Sequence, residues 1–248
     1  MQQHLFVRMV FLWLSLVIFI SCREDSELVC EPPPITGQSL RILPLGDSRV
    51  EGDPSPDGYQ SYRYYLWRTF QQQNWSIDFI GSKQSERTYP PVQNTCFDLD
   101  HEGTGGEVTA GILSTVENID YDPAPDIVLL GIGGNDLLGE ELSPQIVLKN
   151  VQAILQELQG RYPKVTIFVE EIAPARTDLM TPALTSRLSE FYQGISDLAD
   201  QAGDQVINID MHTDWSDSYM ADEVHYNESG AREVANRYFQ AIDIVFDP

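Results

Sequence analysis

At 248 residues the chain is long enough for one well-packed α/β domain and short for two. It is 42% hydrophobic, as a globular protein should be, but 38 Asp and Glu against 15 Lys and Arg leave a formal net charge of −23. Such a surface repels nucleic acid and anionic membranes, and no basic stripe is present to override it.

The chain opens with Met1 to Arg8, which carries one Arg, followed by an almost wholly apolar run from Met9 to Ile20. A run of about a dozen residues suits the core of an export signal, not a membrane span. It ends in Phe19-Ile20-Ser21-Cys22, which resembles a bacterial lipobox except that Phe stands for the usual Leu. Residues 1–21 are therefore expected to be a lipoprotein-type signal and Cys22 a lipidated N-terminus; a plain secretory signal or an uncleaved anchor are the alternatives. Arg23-Glu24-Asp25 resembles the short charged signals that send some lipoproteins outward, so an outer-membrane or cell-surface location is expected. Residues 22–39, with Pro32-Pro33-Pro34, read as a tether. With Cys22 lipidated, Cys30 and Cys96 remain in an oxidising compartment, either as a disulfide or as two free thiols.

From residue 40 to 248 the chain reads as one domain. Strands are predicted at Arg41 to Leu45, Ile77 to Ile80, Ile127 to Ile132, Val165 to Val169 and Val206 to Ile209, all short and rich in Val, Ile and Leu. Between them lie stripes at helical spacing: Tyr65, Leu66, Thr69 and Phe70; Val147, Val151, Ile154, Leu155 and Leu158; and Leu184, Leu188, Phe191, Ile195 and Leu198, after Pro182. A last helix is predicted over Ala231 to Ile242. The alternation predicts a three-layer α/β/α sandwich around five parallel strands. In such sheets ligands bind beyond the carboxyl ends of the strands.

Polar motifs cluster at those ends. Gly46-Asp47-Ser48 follows the first strand, placing Ser48 on a tight turn at the rim. Pro44, unwelcome inside a sheet, is the kind of local violation found beside functional sites. A serine hydroxyl needs a base, and only four histidines are available. His4 lies in the signal and His101 and His212 fall in predicted loops, whereas His225 ends Asp222-Glu223-Val224-His225. That spacing lets Asp222 orient the imidazole, although Asp222 could equally cap the following helix. Gly131-Ile132-Gly133-Gly134-Asn135-Asp136 can offer amides to an oxyanion or merely cap a strand-to-helix turn. It lacks the GxxxxGK[ST] and GxGxxG registers of nucleotide loops. His101-Glu102-Gly103-Thr104-Gly105-Gly106 has no HExxH pattern, and a metal cluster of Asp98, Asp100, His101 and Glu102 is the weaker reading of that loop.

Taken in order, these four blocks resemble the SGNH (GDSL-like) hydrolases across nearly all of Leu40 to Ile242. The resemblance implies a flavodoxin-like fold, with Ser48 as nucleophile, Asp222 as orienting acid and His225 as base. The oxyanion donors it implies are the amides of Ser48 and Gly106 and the side chain of Asn135. A closer resemblance, to carbohydrate esterase family 3 with its acetyl xylan esterases, rests on Ile42 to Ser48, Asp78-Phe79-Ile80-Gly81-Ser82, Asp98 to Gly103 and Pro125 to Leu130. It implies deacetylation of oligo- or polysaccharide without metal or other cofactor. Neighbours of the site depart from that pattern: Arg49 stands for Ile or Leu, Glu107 for Trp, Gly134 for Thr, and Glu223 and Tyr226 for Gly and Pro. Two rivals remain, a lipid or thioester acyl hydrolase of the same fold and a non-catalytic surface glycan-binding protein. Tyr59, Tyr62 and Trp215 are candidate sugar-stacking rings, or core and rim aromatics.

Overall fold

The computed structural model describes residues 30–139 and 142–246. The expected export signal and the expected lipidation site, Cys22, lie outside the described residues. Cys30 and Cys96 are joined as a disulfide, and Glu31 bridges Thr95 beside it.

The sheet is built around strand β1 (Leu40–Gly46). One edge of β1 pairs in parallel with β5 (Ile127–Gly131), which continues through β6 (Thr166–Glu171) to β7 (Val206–Asp210). The other edge is shared. Strand β2 (Ile77–Phe79) pairs with Leu40 to Ile42, and β4 (Asp100–Gly103) pairs with Leu45 and Gly46. Strand β3 (Lys83–Gln84) lies antiparallel on β4. All five predicted strands are present, but the sheet has seven strands, not five. The polar segment expected to be a loop around His101 is β4, whose pairing with β1 and β3 outweighs its poor strand composition.

This division of the β1 edge explains Pro44. Ile42 O accepts from Ile80 N beside β2, and Gly46 O accepts from Thr104 N just after β4. Pro44, of the same orientation, faces the interval between the two, so its missing N–H breaks no ladder.

Helices cover both faces. Against one lie α3 (Thr109–Asn118), α4 (Pro144–Arg161) and α5 (Pro182–Ala202), burying Leu43, Leu45, Val128, Leu130, Ile167 and Val169. Against the other lie α2 (Arg63–Gln72) and α6 (Glu228–Phe246), burying Ile42, Ile127, Leu129 and Phe168. The predicted stripe of α4 is wholly buried, each side chain contributing about 1.5–3 kcal/mol, and α5 begins on Pro182 with Thr181 as its cap. One member of each predicted stripe in α2 and α5, Thr69 and Leu198, is only partly buried. Helix α3 escapes a reading by periodicity because only Ile112 and Val116 of its apolar residues are buried. Its start is held from a distance by Asp136, which accepts from Thr109 N and Oγ1 at 2.9 and 2.6 Å. Among the described residues, no helix is long and apolar enough to cross a membrane.

Candidate active site

Three segments meet at the carboxyl end of β1. After β1 the chain turns through Asp47 into a single helical turn, α1 (Ser48–Glu51). Asp47 caps it, accepting from Arg49 N at 3.0 Å, and burial pushes the Asp47 carboxyl up. Ser48 is thus the first residue of the turn, where an N–H has no intrahelical acceptor. Gly46 permits this turn: a Cβ there would fall 2.0 Å from Gly131 O on β5.

The second segment is the loop before α6. Ser48 Oγ lies 2.9 Å from His225 Nε2, and His225 Nδ1 lies 2.8 Å from Asp222 Oδ2. The other oxygen, Asp222 Oδ1, accepts from the Val224 and His225 amides at 2.9 and 2.8 Å. Burial raises the Asp222 carboxyl, but those two amides and the imidazole outweigh it and hold it below the usual range. Asp222 does not cap α6; that part belongs to Asn227, which accepts from Ser229 N and Gly230 N. The alternative open in the sequence is settled by which residue sits one position before the helix.

The third segment is Gly131 to Gly139. Its last five residues, Asn135–Gly139, form a π-helical turn of the kind common at functional sites. Asn135 Nδ2 donates to Glu107 O at 2.8 Å, which ties it to the residue after Gly106. An amide nitrogen has two hydrogens, so one remains for a ligand. Gly106 sits at φ +73° in the turn closed by Glu107 N on Thr104 O, a left-handed position that favours glycine. Ser48 and Asn135 open onto one cavity of about 220 Å³, walled on its apolar side by Leu138, Leu179 and Val224.

Arg49 and Tyr59 take parts that their sequence context did not reveal. Arg49 is buried; its Nε donates to Val224 O at 2.8 Å and its Nη1 to Ala173 O at 2.7 Å. One side chain thereby joins the Ser48 turn to the His225 loop. Its charge faces Glu170, whose carboxyl burial pushes up to about 7 although Tyr238 donates to it at 2.6 Å. Arg49 was marked in the sequence only as a departure from an aliphatic pattern. Tyr59 stacks on His225, with ring centroids 3.9 Å apart. Of the other candidate stacking rings, Tyr62 is buried against Tyr238, and Trp215 packs on Tyr219 and Tyr226.

The acidic segment near β4 is occupied by internal bonds. Asp98 accepts from Phe79 N, Glu102 accepts from Ser82 N and Oγ, and His101 Nδ1 accepts from Gly103 N. Burial takes the His101 ring down to about 3, so it stays neutral. Among the described residues, Glu171, Asp210 and His212 converge closely enough to hold a cation. His212 Nε2 stands 3.1 Å from Glu171 Oε2, and Arg237 lies 3.8 Å from Asp210. These side chains bond to one another and to Arg237 at the ends of β6 and β7, apart from Ser48, Asp222 and His225.

The chain is similar to known proteins over most of its length. The family model for GDSL-like lipases and acylhydrolases matches residues 45–233. A multidomain esterase of Ruminococcus flavefaciens is 26% identical over 224 residues, 83% of this chain but 28% of that protein, so the chain spans little more than a quarter of its length. The family 3 carbohydrate esterase of Clostridium thermocellum is 28% identical, with a TM-score of 0.67 over 84% of this chain and 98% of that one. A family 3 carbohydrate esterase from Talaromyces cellulolyticus has the same fold, with a TM-score of 0.71 at 21% identity over 84% and 99% of the two chains. With the serine turn, the asparagine turn and the histidine loop inside the matched span, the chain belongs to the GDSL-like lipase/acylhydrolase family.

Proposed function

We propose that the protein removes short acyl groups, acetyl above all, from esterified oligo- or polysaccharide through an acyl-Ser48 intermediate. The observation that carries this reading is the hydrogen-bonded series Ser48–His225–Asp222 opening onto the cavity that Asn135 lines. His225 Nε2 takes the Ser48 proton as Oγ attacks the ester carbonyl. The amides of Ser48 and Gly106 and the Asn135 side chain receive the developing oxyanion. Collapse expels the sugar alcohol, protonated by His225. Water, deprotonated by the same nitrogen, then releases the acid and restores Ser48. Asp222 keeps Nδ1 protonated and steadies the imidazolium. Acid–base help of this kind is worth about 10²–10⁴ in rate, and each oxyanion donor about 10²–10³.

Two features favour a small acyl group on a polar alcohol over a lipid. The cavity at Ser48 is small. A larger groove of about 340 Å³ beyond Glu51 is lined by Lys83, Gln84, Ser85 and Glu86, side chains suited to hydroxyl groups. The likeness to family 3 carbohydrate esterases points the same way. We further propose that the protein works outside the cytoplasm, anchored through lipid on Cys22; the Cys30–Cys96 disulfide supports an oxidising compartment.

Acetate release from acetylated xylan, by purified protein with Ser48→Ala beside it, tests the proposal. Release by the native protein alone is expected. Turnover of an aryl acetate but not of xylan would direct the substrate to another acylated glycan. Rates that rise with acyl length in an aryl ester series would favour the lipid or thioester reading, and glycan binding without any turnover would favour the non-catalytic one.

A further inference from the structure

We propose that Tyr59 is a positioning residue for His225, its ring face fixing the tilt of the imidazole and favouring the imidazolium formed during turnover. The inference rests on the roles given above to Ser48 and His225 and extends them to a residue outside the motif blocks.

The two hydrogen bonds of His225, to Ser48 Oγ at 2.9 Å and to Asp222 Oδ2 at 2.8 Å, both leave through ring nitrogens. Bonds in the plane of the ring define the line between the nitrogens but resist tilting about that line weakly. Tyr59 supplies the missing restraint. Its ring lies 3.9 Å from the imidazole, centroid to centroid, with the planes only 12° apart.

The stack is built into the backbone on both sides. Gln60 N, next to Tyr59, donates to Tyr226 O, next to His225, at 2.8 Å. Asp53 N donates to Tyr59 O at 3.2 Å, and Arg87 holds the intervening loop through Pro56 O at 2.7 Å. The two rings are thus carried on backbone segments bonded directly to each other.

The face of an aromatic ring is electron-rich and attracts a cation above it, while a neutral imidazole gains less. A contact that strengthens only when His225 becomes charged lowers the barrier, because that charge exists in the transition state and not in the resting enzyme. Other charges also face the imidazole: Asp222 from its own loop, Asp47 from the end of β1 and Asp53 from the loop that carries Tyr59. Arg49 lies beyond them, bound to Val224 O on the His225 loop and paired in charge with Asp47. All of these remain when Tyr59 is replaced, so a Tyr59 variant isolates the stack. The phenol itself does not titrate in the working range, since burial pushes it up to about 12.

The test is the pH–rate profile of kcat/KM for Tyr59→Phe and Tyr59→Leu toward a small aryl acetate, which has no sugar to stack. Tyr59→Phe keeps the ring and should stay within about twofold of the native rate with its acid limb in place. Tyr59→Leu should lose about five- to tenfold on the plateau, with the acid limb moved about half a unit to lower pH. A purely structural role would lower the plateau and leave the limb where it was; that result overturns the proposal. So does a Tyr59→Phe profile that falls as far as that of Tyr59→Leu, which would assign the effect to the hydroxyl. The titration of the His225 ring, followed by NMR in Ser48→Ala with and without Tyr59→Leu, reads the same displacement without turnover. A midpoint that moves down supports the stack even where ester hydrolysis fails, and an unmoved midpoint overturns it.

Discussion

Replacing Asp222 with Asn separates orientation from charge at the candidate site. The asparagine Oδ1 can still accept from the Val224 and His225 amides, which lie 2.9 and 2.8 Å from Asp222 Oδ1, so the loop should keep its shape. The Asn amide nitrogen then falls where Asp222 Oδ2 stood, 2.8 Å from His225 Nδ1. Two donors cannot share that contact, so the imidazole proton moves to Nε2, and the nitrogen facing Ser48 becomes a donor where the reaction needs an acceptor. In a serine enzyme of another fold this change costs about 10⁴ in turnover, equivalent to roughly 5 kcal/mol of barrier. Here the Asp222 side chain is 42% exposed, and water can stand in for part of the lost carboxylate. A fall of about 10³–10⁴ is therefore expected, with thermal stability changed by less than about 1 kcal/mol. Steady-state turnover of an aryl acetate, with a melting curve on the same sample, measures both. Retention of more than about a hundredth of native turnover would refute the orienting role. A matching loss of stability would instead make Asp222 a loop anchor.

Asn135→Ala should cut turnover about 10²–10³-fold with KM little changed, read in the same assay, and an unaltered rate would remove Asn135 from the oxyanion site. The Cys30–Cys96 disulfide closes a separation of 66 residues, for which loop-closure entropy gives about 4 kcal/mol. The double change Cys30→Ser, Cys96→Ser should accordingly lower the urea midpoint; an unmoved midpoint would contradict the loop-closure estimate. Glu170 and Asp98 are both pushed up to about 7 by burial, so the folded protein keeps protons that the unfolded chain releases near pH 4. Their contribution to stability is complete below that range and is lost as pH rises toward 7. The melting temperature should fall from pH 5 to 8 and less steeply in Glu170→Gln, whereas a rise over that interval would contradict the raised values.

What could be read in the sequence follows from how local each signal is. The strands from Ile127, Thr166 and Val206 declare themselves as apolar runs, and α4 and α5 as stripes with proline at the start. Strand β4 does not, because Asp100-His101-Glu102-Gly103 looks like a loop until its neighbours in the sheet satisfy it. The motif order brought out Ser48, Asn135, Asp222 and His225, since each block sits at a strand end or just before a helix. The stack of Tyr59 on His225 and the reach of Arg49 to Val224 are contacts between segments far apart in the chain, with no local pattern to announce them. Asp136 is similar: beside Asn135 it looks like a cap for its own turn, and in the fold it holds the start of α3.

In the proposed reaction the acyl group passes covalently through Ser48. The most direct measurement is acid quenching during turnover of an aryl acetate, followed by mass spectrometry of the peptide that contains Ser48. One acetyl group on Ser48 is expected in the native protein, accumulating further in a variant slowed in deacylation, and none in Ser48→Ala. Turnover with no adduct in either protein, or an acetyl group carried by another residue while Ser48→Ala stays active, would contradict the account.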